Sequence, residues 1–129
     1  MLRADAAARE VTLETKAFSA EVEGDQRLLT AAVVNLVKNA VQASPEGGTV
    51  SLRGAVEDGR YVVEVEDRGP GIPEDAVERI FEPFFTTREK GTGLGLPLAR
   101  KIAQAHRGDI TLFSSSRDRT LFRLRVPLW

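Results

Sequence analysis

Residues Gly91-Thr92-Gly93-Leu94-Gly95-Leu96 put three glycines into six positions, directly ahead of an amphipathic stretch from Pro97 to His106. Such a turn suits an anion. Glycine lets backbone N–H groups approach closely, and the helix that follows adds unpaired donors and a positive dipole end. Upstream, Asn35 and Asn39 stand one helical turn apart, so their carboxamides project from the same side of a helix. Two neutral amides beside a phosphate pocket can offer hard oxygen to Mg²⁺, which keeps several waters in its own shell. Asp67-Arg68-Gly69-Pro70-Gly71 ends a strand on a carboxylate. That carboxylate can accept a hydrogen bond from the exocyclic amine of adenine, with glycines leaving room for the base. Thr86-Thr87-Arg88-Glu89-Lys90 is a short polar connection that can cover a bound nucleotide, with Arg88 or Lys90 reaching phosphate oxygens. Taken singly, each pattern has a plain reading: solvated amides on an amphipathic helix, an ordinary turn, a solvated loop.

The elements that must position these residues follow from periodicity. Val11 to Phe18 alternates apolar and polar residues as a half-buried strand does. Asp25 can cap a helix running to about Ala43, stopped by Ser44-Pro45 and Gly47-Gly48. On that helix Leu29, Val33, Leu36, Val37 and Ala40 share one face, and Asn35, Lys38, Asn39 and Gln42 the other. Thr49 to Val56 and Arg60 to Asp67 are strands joined by the hairpin signal Glu57-Asp58-Gly59. Pro73 suits the start of a short helix through Ile80, and a second main helix follows the glycine turn and stops at Arg107-Gly108. Asp109 to Ser114 and Thr120 to Val126 close the chain as a hairpin. Hairpin-joined strands with two main helices predict an α+β two-layer sandwich, helices on one face of a mixed sheet.

Composition narrows the chemistry. The 129 residues suit a single domain (1–129), of which Met1 to Arg9, rich in alanine, reads as the tail of a helix or linker from a preceding dimerisation domain. A hydrophobic share of 42%, a charged share of 29% and a net charge of −1 describe an ordinary soluble domain with no electrostatic case for nucleic acid or an anionic membrane. No apolar run approaches a membrane span, and the expectation is a cytoplasmic, monomeric module without direct membrane contact. The absence of cysteine removes disulfides and thiolate chemistry, and one histidine leaves little for a histidine metal cluster or a Ser–His–Asp triad.

Four stretches together resemble the ATP-binding catalytic domain of two-component sensor histidine kinases, of the superfamily shared with DNA gyrase, a heat-shock chaperone and mismatch-repair ATPases. Asn35 to Ser44 (NLVKNAVQAS) looks like its N box and Val65 to Pro73 (VEDRGPGIP) like its G1 box. Ile80 to Thr87 (IFEPFFTT) resembles the F box, and GTGLGL the G2 box. The likeness runs in family order from about Leu28 to Pro127, and its short lid is most similar to the nitrogen-regulation class. It implies ATP and Mg²⁺ as ligands, with Asn39 the main metal ligand, Asn35 assisting, and Lys38 on phosphate beside the Arg88 already read from the polar connection. It further implies Asp67 on the adenine amine, Gly69 and Gly71 shaping the base pocket, and Gly91, Thr92, Gly93, Leu94 and Gly95 around the triphosphate. Thr120 matches a threonine that supports the adenine-binding aspartate. The partners implied are the dimerisation and histidine-phosphotransfer domain of the same kinase and a response regulator.

Three departures from the pattern stand out. Arg107 occupies a position where glycine often follows the histidine, and SSSRDRT lacks the usual glycines before the threonine, which predicts altered loop shape rather than lost binding. There is also no histidine followed by an acidic residue on an upstream helix, hence no phosphoacceptor. His106 lies near Ile102 and Ala99 at a helix C-terminus, a place for packing or capping. Other functions within reach are a gyrase-type ATPase or switch, an anti-sigma-type serine kinase, and a non-catalytic nucleotide-binding module. The first two tend to carry glutamate where this chain has Asn35, a carboxamide without useful basicity.

Overall fold

A computed structural model describes residues 12–16, 26–85 and 95–127 of the chain. Five strands form one sheet in the order β1-β2-β3-β5-β4: β1 (Thr12–Lys16), β2 (Thr49–Glu57), β3 (Arg60–Asp67), β4 (Asp109–Ser116) and β5 (Arg119–Pro127). β1 runs parallel to β2, and the other pairings are antiparallel, so the sheet is mixed as the sequence predicts. Helices α1 (Gln26–Ala43) and α2 (Gly95–Ala105) cover one face.

The core follows from the alternation. Val63 and Val65 of β3 and Phe122, Leu124 and Val126 of β5 point at the helices, where Ala32, Leu36, Val37, Ala40 and Val41 of α1 meet Ala99, Ile102 and Ala103 of α2. Each large apolar side chain so buried contributes about 1.5–3 kcal/mol. On the opposite face β3 and β5 present charged residues at Glu64, Glu66, Arg119, Arg123 and Arg125, with Val62 and Leu121 apolar and buried among them. Glu64 sits between Arg53 of β2 and Arg123 of β5, at 3.1 and 2.6 Å. The bulge in β4 between Leu112 and Ser114 leaves Phe113 exposed, beneath the Arg123 guanidinium at 3.8 Å from its ring centre.

Asp58 and Gly59 both take positive φ, +52° and +73°, as a two-residue turn between antiparallel strands requires. The helix expected from Pro73 to Ile80 is instead a series of tight turns around a 3₁₀ segment, Val77–Arg79. Ala76 N–H donates to Pro73, Arg79 to Ala76, Glu82 to Arg79 and Phe85 to Glu82, each spanning three residues. The stretch is short and Pro83 has no N–H, so an i−4 ladder cannot propagate through it. Asp25 and Met1 to Arg9 lie outside the described residues. Among the described residues no helix is long and apolar enough to cross a membrane.

α2 ends in a Schellman arrangement. Gly108 N–H donates to Ala103 at 2.8 Å and Arg107 N–H to Gln104 at 3.1 Å, with Arg107 at φ +65°. The departure from glycine at this position therefore places a Cβ in the left-handed region, where it is unfavourable. Arg107→Gly is expected to raise stability by about 0.5–1 kcal/mol after the greater unfolded-state entropy of glycine is subtracted. That corresponds to a gain of roughly 2–4 °C in a thermal melt, and an unchanged or lower midpoint would contradict it.

Candidate functional site

Asp67 is the last residue of β3, and its side chain is only 2% exposed. One carboxylate oxygen accepts the Gly69 N–H at 2.8 Å, which bends the chain back on itself just after the strand. Directly across the ladder, in register, stands Thr120 of β5, equally buried. Sequence distance separates these two residues, and the β3–β5 pairing brings them together.

The turn after Asp67 is wedged between two other elements. A Cβ on Gly69 would lie 2.3 Å from the carbonyl oxygen of Ala43, the last residue of α1. Gly71 has φ +80°, and a Cβ there would lie 1.9 Å from the Ser116 carbonyl oxygen at the end of β4. Ser115 Oγ accepts the Ile72 N–H at 2.9 Å and completes the join. The serine-rich hairpin that departs from the family pattern thus meets the aspartate turn through a hydroxyl and a carbonyl. Ser115 was not legible as a site-forming residue, because its position depends on the bulge in β4.

α1 carries the polar face. Asn35, Lys38 and Asn39 are half-buried rather than solvated, and Gln42 is exposed. The Asn35 amide nitrogen donates to Ala31 O at 3.0 Å, back along its own helix. Its Oδ1 lies 3.5 Å from where a Gly95 Cβ would stand, and so faces the first residue of α2. Asn35 to Ala43 spans about 12 Å of helix at 1.5 Å per residue. One helix therefore has the Asp67 turn at its C-terminus and the glycine-led start of α2 beside its middle, with Asn39 between them. Arg88, Gly91, Thr92, Gly93 and Leu94, with the rest of the connection expected to cover a nucleotide, lie outside the described residues.

Residues 24–129 match the family of histidine kinase-, DNA gyrase B- and HSP90-like ATPases. The chain belongs to that family. Within it the likeness is to histidine kinases. Sporulation kinase A of Bacillus subtilis is 43% identical over 106 residues, 82% of this chain and 18% of that protein. The sensory histidine kinase/phosphatase NtrB of Rhodobacter capsulatus is 43% identical over 118 residues, 81% of this chain and 33% of that protein. The nucleotide-free catalytic domain of histidine kinase ThkA superposes with a TM-score of 0.85 at 31% identity, covering 98% of this chain and 85% of that one. The chain is a catalytic domain of the histidine-kinase kind, and it spans a third or less of these two curated relatives' length.

The lone histidine follows the capping expectation. His106 is half-buried, with Nδ1 at 2.7 Å from Ile102 O, so a protonated Nδ1 caps a carbonyl in the last turn of α2. Nothing in the sequence says that Arg100, Phe81 and Asp109 meet: Phe81 lies in the F-box stretch and the other two in no motif, and only the packing of α2 brings them into contact.

Proposed function

We propose that this domain binds ATP with Mg²⁺ and donates the γ-phosphoryl group to a histidine on a separate dimerisation domain, for onward transfer to a response regulator. The observation that carries this is the single track along α1, from the buried Asp67 turn to the Asn35 oxygen beside Gly95. At one end Asp67, an acceptor already steadied by Gly69, offers a hydrogen-bond acceptor to the adenine amine, with Thr120 beside it. At the other, Gly95 and the glycines before it supply backbone donors for the triphosphate.

The residues present fit a magnesium ion. With its amide nitrogen committed to Ala31, Asn35 is left with a hard oxygen directed toward α2, and Asn39 is one turn away on the same helix. Among the described residues no group of three or more histidines, cysteines or carboxylates could hold a metal ion. Asn39 and Asn35 would hold the cation jointly with the nucleotide's own phosphate oxygens and water. Bound there, Mg²⁺ supplies neutralisation of charge on the β- and γ-phosphates. Lys38, and Arg88 from the covering connection, add positive charge near the phosphates.

The transfer forms a P–N bond to the acceptor imidazole as the bond from the γ-phosphorus to the β,γ-bridging oxygen breaks, leaving ADP. The acceptor ring gives up its proton to solvent. This chain's part is positioning, since Asn35 offers no base to activate water and water attack is correspondingly slow. A cytoplasmic setting and a monomeric state in isolation fit this role.

Incubated with γ-labelled ATP and Mg²⁺, the chain alone is expected to acquire no stable label. It is expected to label a separately supplied dimerisation domain from its parent kinase. Stable label on His106, or rapid multiple-turnover phosphate release by the chain alone, would mean the reaction is a different one.

A further inference from the structure

Arg100 lies in the second turn of α2 and makes two contacts with groups from different parts of the chain. Its guanidinium stacks over the Phe81 ring at 4.5 Å from the ring centre. Along its edge, Nε and Nη2 donate to the two oxygens of Asp109 at 2.9 and 3.3 Å, a fork that matches a carboxylate. Phe81 in turn meets Phe122 edge to face at 6.2 Å, and Phe122 is a fully buried residue of β5. Asp109 opens β4, where Ile110 N–H also donates to it at 2.8 Å. Partial burial pushes the Asp109 pKa up, but hydrogen bonds from Arg100 and Ile110, the guanidinium charge and Gln104 outweigh it and hold the carboxyl below its ordinary value. The pair is therefore ionised at neutral pH.

The placement of this tie gives it a consequence. Phe81 belongs to the stretch that ends at Phe85, and Arg100 to the helix that begins at Gly95. Between them lie the nine residues that carry the first glycines of the phosphate-binding motif. Gly95 faces Asn35 Oδ1, so the axial position and rotation of α2 set the separation between that amide oxygen and Gly95. The buried apolar contacts of α2 come from Ala99, Ile102 and Ala103, two of them alanines. A planar guanidinium fixed on one face by an aromatic ring and along one edge by a carboxylate adds a directional constraint on the helix that apolar packing lacks.

We infer that Arg100 is a positioning residue for the nucleotide phosphates: by holding Phe81 and Asp109 together it fixes the start of α2 against Asn35. The inference rests on the nucleotide-binding role proposed above. The effect of Arg100 passes through Gly95, the residue of α2 that faces Asn35. The base end, built from Asp67, Gly69, Thr120 and the Ala43 carbonyl, lies at the C-terminus of α1, about 12 Å of helix from the Asn35 that faces Gly95. Loss of the tie should therefore act on phosphates and spare the nucleoside.

Calorimetry on the full chain, with adenosine and with a non-hydrolysable ATP analogue in Mg²⁺, tests this. Arg100→Met keeps most of the apolar stem and removes the guanidinium. It is expected to weaken the analogue on the order of tenfold, as small misplacements of binding groups do, and to leave adenosine within about twofold. Phe81→Leu should reproduce the loss, and the double variant should be no worse than the weaker-binding single, because both break one tie. Arg100→Lys, which can pair with Asp109 but cannot present a planar fork, should recover part of the affinity and keeps the test available if Arg100→Met does not fold. Folded variants that bind both ligands as wild type does, or that lose adenosine and analogue in equal proportion, would overturn the inference. Failure of the wild-type chain to bind either ligand would instead overturn the nucleotide reading, and the positioning role with it.

Discussion

Asp67→Asn is expected to weaken ADP and ATP binding by one to two orders of magnitude while the protein stays folded. The carboxamide can keep an oxygen on the Gly69 N–H, the bond that shapes the turn at 2.8 Å. Its nitrogen then occupies the place of the second carboxylate oxygen and meets the adenine amine donor to donor. A buried donor left without an acceptor costs about 1–3 kcal/mol, which sets the size of the loss. Thermal melting and calorimetry on the same preparation separate the two effects. Unchanged ADP affinity in a folded variant would remove Asp67 from the base site.

Gly71→Ala is expected to destabilise the domain by about 2–5 kcal/mol, the strain of a left-handed alanine added to the cost of overpacking. The two contributions can be separated within this one molecule. Gly59 has nearly the same φ, +73° against +80°, but a Cβ there meets nothing within 4 Å. Gly59→Ala should therefore cost only the strain, about 1–2 kcal/mol. At Gly71 the new methyl would sit 1.9 Å from the Ser116 carbonyl oxygen, a backbone atom that cannot swing aside. Urea unfolding of the two variants gives the difference directly. Equal destabilisation would show that the β4–β5 hairpin yields freely and does not brace the aspartate turn.

Much of the fold was legible because the pattern of each element agrees with its place. The alternation in Arg60 to Asp67 and Thr120 to Val126 marks strands whose inward side chains form the core, and Leu36, Val37 and Ala40 mark the buried face of α1. The order of strands was not legible, since nothing local says that β5 inserts between β3 and β4. The stretch after Pro73 misled because its apolar spacing, with Ala76 and Ile80 buried, suits a helix as well as a chain of three-residue turns. In the site, Asp67, Gly69, Gly71 and the two asparagines could be nominated from residue type and spacing. What each glycine touches could not. The Ala43 carbonyl, Ser115 and the Arg100 tie are contacts between elements far apart in sequence, and their geometry exists only once the layers are packed.

The sheet order also bears on when this molecule can begin to bind. β2 with β3 and β4 with β5 are hairpins that can form early from neighbouring residues. The seam between them joins Asp67 to Thr120 across more than fifty residues of chain, and β5 follows every other strand of the sheet in sequence. Until β5 inserts, β3 presents an unpaired edge, and half of the aspartate's surroundings are absent. A nascent chain has its glycine motifs well before it has a base pocket. Nucleotide can therefore stabilise the finished domain without rescuing its intermediates, and the exposed β3 edge is the species most prone to wrong pairing during folding.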